Sequence, residues 1–167
     1  MDEAQSDSRL KFIVTFGHRP AYSSGSHPGE ATLKTILDAL GDRYSKYVLN
    51  INSHSHNYER SFPQHRVTHL TVGTGGSLFD QSGSCLWPSC TKPSWSAQRF
   101  MQQGLTNLTF GSTSIAGEFI CGPKGDAWGG TNDVTCNVGE VIDRFVIDAV
   151  VVDVTPPLTP TGLGVGQ

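Results

Sequence analysis

Apolar residues fall into short runs whose spacing changes along the chain. Residues 11–16 form a β-branched apolar run that predicts a buried strand. Leucine and isoleucine then recur at i, i+3, i+4 and i+7 over residues 33–40, which predicts an amphipathic helix ending at Gly41. Residues 47–51 predict a second strand. This strand–helix–strand order predicts a parallel βαβ unit whose site-bearing loops open at one edge of the sheet.

The second half of the chain predicts mainly strands. Apolar or alternating runs of strand length lie at residues 66–72, 105–110, 115–120 and 141–147. The stretch between the first two of these runs is rich in turn-forming residues from 77 to 96. We therefore expect a mixed α/β (α+β) class with a β-rich second half.

The two ends of the chain differ from its middle. Residues 1–10 are polar and acidic at their start, and we expect them to be disordered. Residues 151–167 are punctuated by proline and have no helical or strand period, which favours a linker. They also resemble the segment that opens fibronectin type III-like modules. The folded domain is therefore expected over residues 11–150.

Composition excludes several classes of partner. Charged residues make up 16% of the chain, and 12 basic against 15 acidic side chains leave a net charge of -3. A nucleic-acid partner would normally bring a basic excess, so none is indicated. No apolar run approaches the length needed to cross a bilayer, so no membrane partner is indicated either.

The four cysteines form two pairs that are local in sequence. Two disulfides, Cys85–Cys90 and Cys121–Cys136, are the economical interpretation, although three connectivities and a zinc site remain open. The acceptor pattern Asn-Leu-Thr at 107–109 adds to the indication of an oxidising compartment. We expect a secreted or extracytoplasmic protein. The first residues lack the features of a signal peptide, so either export information lies upstream or the cysteines are free.

Histidines follow the ends of the first two predicted strands. His18 comes after the first strand, and His54 and His56 come after the second. In an extended segment, residues two apart point to the same side, so His54 and His56 would reach a common metal site. A polar loop without a metal explains the same pattern. His65 and His69 lie in or beside the third predicted strand and are expected to be structural.

Three motifs in a fixed order carry a family resemblance. They are GHRPAYSS at 17–24, HSHNYER at 54–60 and GTGG at 73–76. Together they resemble the C-terminal half of the calcineurin-like metallophosphoesterases, and most closely the purple acid phosphatase branch. The resemblance implies part of a β-sandwich flanked by helices, with a two-metal site at the carboxyl ends of strands and phosphate esters as substrates.

The resemblance also implies roles for single residues. His18 and His54 match ligands of the second metal, and His56 matches a ligand of the first. His27 matches a histidine that contacts the substrate phosphate and protonates the leaving group, although an exposed loop histidine is an equal alternative. In the family the cofactors are two divalent or trivalent ions, iron with zinc or manganese. Such a pair generates hydroxide and clamps the phosphoryl oxygens.

Three residues after the histidines also match the family. Tyr58, Glu59 and Arg60 match supports of the histidine loop, with Arg60 expected in an ion pair.

The chain departs from the family pattern at two points. Ser53 stands where the family has glycine. The family's carboxylate-bearing motifs, expected upstream, are absent, and imidazoles alone do not bridge two cations. We therefore expect a partial site, and a fragment whose partner is the upstream half of the same domain.

The expected function is metal-dependent hydrolysis of phosphoric monoesters, as in acid phosphatases. Two alternatives remain. One is a non-catalytic secreted binding module that kept the scaffold. The other is a phosphodiesterase or nucleotidase of the same superfamily, because the histidines do not distinguish monoesters from diesters.

Overall fold

The computed structural model describes residues 1–79, 91–124 and 135–150. Its elements form two sheets and two helices. In chain order they are α1 Asp2–Ser6, β1 Ile13–Phe16, α2 Ala31–Arg43, β2 Tyr47–Asn52, β3 Tyr58–Ser61, β4 Thr68–Val72, β5 Ser96–Phe100, β6 Gly104–Phe110, β7 Ser114–Cys121 and β8 Val141–Asp148.

The first sheet has five strands in the order β1-β2-β4-β3-β5. Strands β1, β2 and β4 are parallel, whereas β3 runs antiparallel to both of its neighbours. The predicted βαβ unit is confirmed, since β1 and β2 pair in parallel with Phe16 opposite Ile51. Their carboxyl ends therefore lie side by side, which brings the loops that follow them together.

The second sheet is the antiparallel meander β6-β7-β8. It packs on the first sheet through a stack of aromatic rings. The Tyr58 ring lies 4.1 Å from the Phe119 ring, and both stack with Phe100. Because Tyr58 and Phe119 are fully buried, this stack forms the centre of the core between the sheets. The mixed α/β class with a β-rich second half is thus confirmed.

A buried carboxylate joins the two sheets. Asp143 of β8 accepts hydrogen bonds from the Tyr58 hydroxyl at 2.7 Å and from Arg60 Nε and Nη2 at 2.7 and 2.9 Å. The ion pair expected for Arg60 is present. Both side chains thus reach from β3 to the opposite sheet, and their expected support of the histidine loop stays a prediction. We refer to Tyr58, Arg60 and Asp143 as the inter-sheet anchor.

Helix α2 continues past the predicted stop. Gly41 lies inside the helix and is buried, and the helix ends two residues later at Arg43. A Cβ atom at position 41 would overlap the backbone oxygen of His65. The glycine therefore allows the helix to approach a loop closely, and it does not end the helix.

The first ten residues differ from the disordered start that we expected. Residues Asp2–Ser6 form the short helix α1, which docks beside the end of α2. Asp2 accepts hydrogen bonds from Arg43 Nη2 and the Tyr44 hydroxyl, both at 2.9 Å, and Gln5 donates to Ser45 at 2.9 Å. These polar contacts hold the segment against the domain. Because they join residues about 40 positions apart, the composition of the first ten residues does not predict them.

The predicted pair Cys121–Cys136 is confirmed as a disulfide. It ties the end of β7 to the segment that leads into β8 and indicates an oxidising environment. The predicted pair Cys85–Cys90 and the predicted linker at 151–167 lie outside the described residues. Neither of the two described helices is long and apolar enough to cross a membrane.

Candidate histidine site

The candidate site lies where β1 and β2 end. Gly17 N donates to Ile51 O at 2.9 Å, and Ser53 N donates to His18 O at 3.0 Å, so the strand pairing continues into the two loops. Glycine and polar residues follow each strand, and they end the burial of the sheet at this edge. The backbone therefore holds the segments that carry His18 and His54 next to each other.

His18 and His54 touch through their ring nitrogens. His54 Nδ1 lies 3.0 Å from His18 Nε2, and the ring centroids are 4.8 Å apart. The other nitrogen of His18, Nδ1, lies 3.2 Å from the Ser53 hydroxyl. Because one imidazole nitrogen donates to the other, at least one of the two rings is neutral in this arrangement.

His27 completes a group of three imidazoles. Its ring centroid lies 4.3 Å from that of His54, although 27 residues of sequence separate them. The loop that carries His27 is closed by Glu30 N donating to Pro20 O at 2.9 Å and by an ion pair between Arg19 and Glu30. We call His18, His27 and His54 the histidine cluster.

Glu59 attaches the His27 loop to the first sheet. Its buried carboxylate accepts hydrogen bonds from Ser24 N at 2.7 Å, from the Ser24 hydroxyl at 2.5 Å and from the Ser96 hydroxyl at 2.7 Å. Arg99 Nη1 donates to Ser24 O at 3.1 Å and to the Ser24 hydroxyl at 2.5 Å. Sequence reasoning named Glu59 as a support but missed Ser24, Ser96 and Arg99. For Ser24, the sequence offers one signal, the pair of serines at 23 and 24. Ser96 and Arg99 lie on β5, and this strand lacks the apolar alternation by which a strand is recognised in a sequence.

The electrostatics of the cluster favour the neutral form of His54. The pKa of His54 is lowered below its usual range, first by burial and then by the positive charge that His27, His18, Arg19 and His56 carry when protonated. A neutral imidazole offers a lone pair, which is the form that binds a metal ion. The cluster therefore keeps His54 in its ligand-competent form at lower pH than an isolated histidine.

His56 follows His54 through a pair of tight turns. The extended geometry expected for His54 and His56 is wrong: Ser55 N donates to Ser53 O and Asn57 N to Ser55 O, which makes two consecutive three-residue turns. His54 accordingly has a positive φ of 62°. Within these turns the two side chains no longer share one side of an extended segment.

The backbone sets the tautomer of His56. His56 Nδ1 lies 2.7 Å from Leu78 O, and a carbonyl oxygen only accepts, so Nδ1 carries the proton. The lone pair is then on Nε2. Gly73 lets the GTGG segment pass this loop, because a Cβ atom there would overlap Ser55 O.

The imidazoles fit only part of the two-metal centre that the sequence implies. A neutral imidazole nitrogen is a suitable ligand for zinc or iron. Among residues 1–79, 91–124 and 135–150, however, no three His, Cys, Asp or Glu side chains form a group that would hold a metal ion. The assignment of His18, His54 and His56 as metal ligands stays a prediction.

A cavity of about 650 Å³ lies elsewhere. It extends between residues 74–78, the start of β6 and the segment around the Cys121 disulfide. None of the site histidines lines it. It touches the site only indirectly, through Leu78, whose carbonyl accepts the hydrogen bond from His56.

Comparisons with known proteins identify the fold. No family model matches the chain, and no curated protein matches it. Among solved structures, the chain is similar to GAP50, the anchor in the inner membrane complex of Plasmodium, with a TM-score of 0.66 and 23% identity over 86% of this chain. It is also similar to purple acid phosphatase PPD1 from yellow lupin (Lupinus luteus) seeds, with a TM-score of 0.59 and 19% identity over 87% of this chain.

These similarities establish a fold like that of purple acid phosphatase. The chain spans 38% of the Plasmodium structure and 26% of the lupin structure. At this level of identity the likeness concerns the fold and not the activity.

Proposed function

We propose that this chain is the C-terminal part of a secreted, metal-dependent phosphoesterase that hydrolyses phosphoric monoesters. The convergence of His18, His27 and His54 at the carboxyl ends of β1 and β2 carries the proposal. Support comes from the fold, because α/β proteins build their sites at this edge, and from the purple acid phosphatase among the similar structures.

In this proposal the histidines divide into two roles. His18, His54 and His56 are metal ligands, and each contributes a neutral imidazole nitrogen. The bound ions, iron with zinc or manganese, would supply a hydroxide at moderate pH and charge stabilisation for the phosphoryl oxygens. Carboxylate ligands come from the upstream part of the same domain, because among the described residues no three His, Cys, Asp or Glu side chains form a group that would hold a metal ion.

His27 is the proton donor to the leaving group. Its loop is fixed to the sheet by Ser24 and Glu59, so the imidazole is held near His54 without depending on a metal. A general acid contributes about 10²–10⁴-fold when the leaving group needs a proton. His27→Gln should therefore slow hydrolysis of alkyl phosphates far more than that of nitrophenyl phosphate, whose leaving group departs without protonation.

Metal content tests the ligand assignment independently of activity. The chain, and the longer protein that contains it, are incubated with iron, zinc and manganese, desalted and measured by mass spectrometry of metals. The triple variant His18→Ala, His54→Ala, His56→Ala should lose the bound metal. His65→Ala, an exposed histidine that pairs with Asp42 elsewhere, should retain it. Equal metal content in the native and triple-variant proteins would refute the assignment.

A non-catalytic module is the second candidate. The observation in its favour is that no three His, Cys, Asp or Glu side chains in the described part of the chain form a group that would hold a metal ion, and one similar structure, GAP50, is an anchor. Absence of phosphatase activity in the longer protein with its metals bound would favour this candidate. Comparison of nitrophenyl phosphate with bis(nitrophenyl) phosphate separates the monoesterase from the phosphodiesterase or nucleotidase alternative.

A further inference from the structure

The acceptor pattern at 107–109 lies on an exposed strand. Asn107 is in the middle of β6, and both Asn107 and Thr109 are exposed, whereas Leu108 between them is half-buried and packs on the core between the sheets. Alternation along the strand therefore places Asn107 and Thr109 on the outer face together. The amide and the hydroxyl of the pattern are both open to solvent.

The neighbours of Asn107 across the sheet confirm that this face meets water. Asn107 is opposite Glu118 of β7, and Glu118 is opposite Arg144 of β8. Glu118 and Arg144 form an exposed ion pair, with Arg144 Nε donating to Glu118 Oε1 at 3.2 Å. A row of polar side chains thus crosses the outer face, and nothing in the described structure covers it.

Asn107 lies on an edge strand of the described structure. In the described part of the chain β6 pairs with no strand other than β7. Leu105 and Phe110 on this strand are more than half exposed. An exposed edge with large apolar side chains is prone to pair with another chain, and natural proteins cover or charge such edges.

We propose that Asn107 is N-glycosylated and that the glycan shields the edge strand β6. The sugar donor is a lipid pyrophosphate-linked oligosaccharide. Asn107 Nδ2 forms the bond to C1 of the first N-acetylglucosamine and gives up one proton, while the bond from C1 to the pyrophosphate oxygen breaks and the lipid pyrophosphate leaves. The Cys121–Cys136 disulfide indicates the oxidising compartment in which this transfer takes place. The inference is independent of the proposed phosphoesterase activity.

Intact mass tests the modification cleanly, because Asn107-Leu108-Thr109 is the only Asn-X-Ser/Thr pattern in the sequence. The chain is directed into the secretory pathway of a eukaryotic cell and purified. Its intact mass is measured by mass spectrometry before and after treatment with an amidase that releases N-glycans. We expect a mass increment of one core glycan that disappears on treatment and leaves aspartate at position 107. A secreted chain with an unmodified Asn107 would overturn the proposal.

Matched variants separate the modification from effects on folding. Asn107→Gln and Thr109→Val should abolish the mass increment, and Thr109→Ser should retain it, because only the last keeps both the asparagine at 107 and a hydroxyl at 109. Formation of the Cys121–Cys136 disulfide, read by peptide mapping, reports that each variant has folded. An increment that persists in Asn107→Gln would refute the site.

The shielding role has its own readout. Light scattering at rising concentration compares the glycosylated chain with the enzymatically deglycosylated chain. We expect the deglycosylated form to self-associate at a lower protein concentration than the glycosylated form. Identical behaviour of the two forms would overturn the shielding while leaving the modification site in place.

Discussion

Two polar clusters in this molecule, the inter-sheet anchor and the histidine cluster, differ in how their charges are paired. In the inter-sheet anchor, the charge of Asp143 meets the opposite charge of Arg60, and every oxygen of the carboxylate has a donor. In the histidine cluster, imidazoles face one another at the edge of the sheet. Opposite charges meet in the anchor and join the two sheets, whereas three imidazoles meet in the histidine cluster.

Breaking the anchor should have the largest effect. Asp143→Ala leaves Arg60 and the Tyr58 hydroxyl buried without their partner, and removal of one member of a buried pair costs about 3–5 kcal/mol. The free energy of unfolding, measured by urea titration, should fall by that amount. Glu118→Gln, which removes the exposed pair with Arg144, is the control and should change stability by less than about 1 kcal/mol. Similar losses in both variants would contradict the contrast.

His69 provides a third case, a buried imidazole whose ring nitrogens have no hydrogen-bond partner in the structure. His69 packs on the Tyr22 ring at 4.6 Å. Burial lowers the pKa of His69 from 6.5 to about 4. The unfolded chain therefore binds this proton first as the pH falls, so stability present above pH 6.5 is lost progressively down to about pH 4. The loss amounts to about 3 kcal/mol.

Urea titrations at several pH values within this window measure that loss. His69→Leu removes the titrating group and should flatten the dependence. Its stability near neutral pH should be unchanged or higher, because no hydrogen bond of the ring is sacrificed. An unaltered acid dependence in the variant would assign the effect to other groups.

The smallest expected effect lies in the histidine cluster itself. His54 holds a φ of 62°, which costs a residue with a side chain about 1 kcal/mol. His54→Gly should therefore raise the free energy of unfolding by about that amount while it removes the central imidazole. Ser53→Gly, one residue earlier and without a positive φ, should lower stability instead. If both glycines destabilise equally, the strain at position 54 is not real.

The elements that sequence patterns predict well are those whose burial is apolar. Residues 11–16, 33–40 and 47–51 have clear periods, and all three appear in the structure near the predicted bounds. Strands β3 and β5 were missed because, apart from Tyr58, their buried side chains are polar. Glu59 and Ser96 are buried through hydrogen bonds that join distant segments, and no local period reveals such pairing.

The site was predictable in part. The strand–helix–strand order brings His18 near His54, as expected from parallel strands ending at one edge. The position of His56 was not predictable, because the turns around His54 depend on how the GTGG segment passes the loop. The ligand roles of His18, His54 and His56 and the acid role of His27 stay predictions.

The inter-sheet anchor also sets an order of events during synthesis. The hydrogen bond between Tyr58 and Asp143 joins residues 85 apart in sequence. On the ribosome, β3 is complete long before β8 emerges, so the Tyr58 hydroxyl and Arg60 lack their partner until Asp143 arrives. Contacts between residues so far apart in sequence form slowly, because a long loop must close first. The arrival of β8 is thus the step that closes the sandwich, and a chain that stalls before Asp143 keeps its core open.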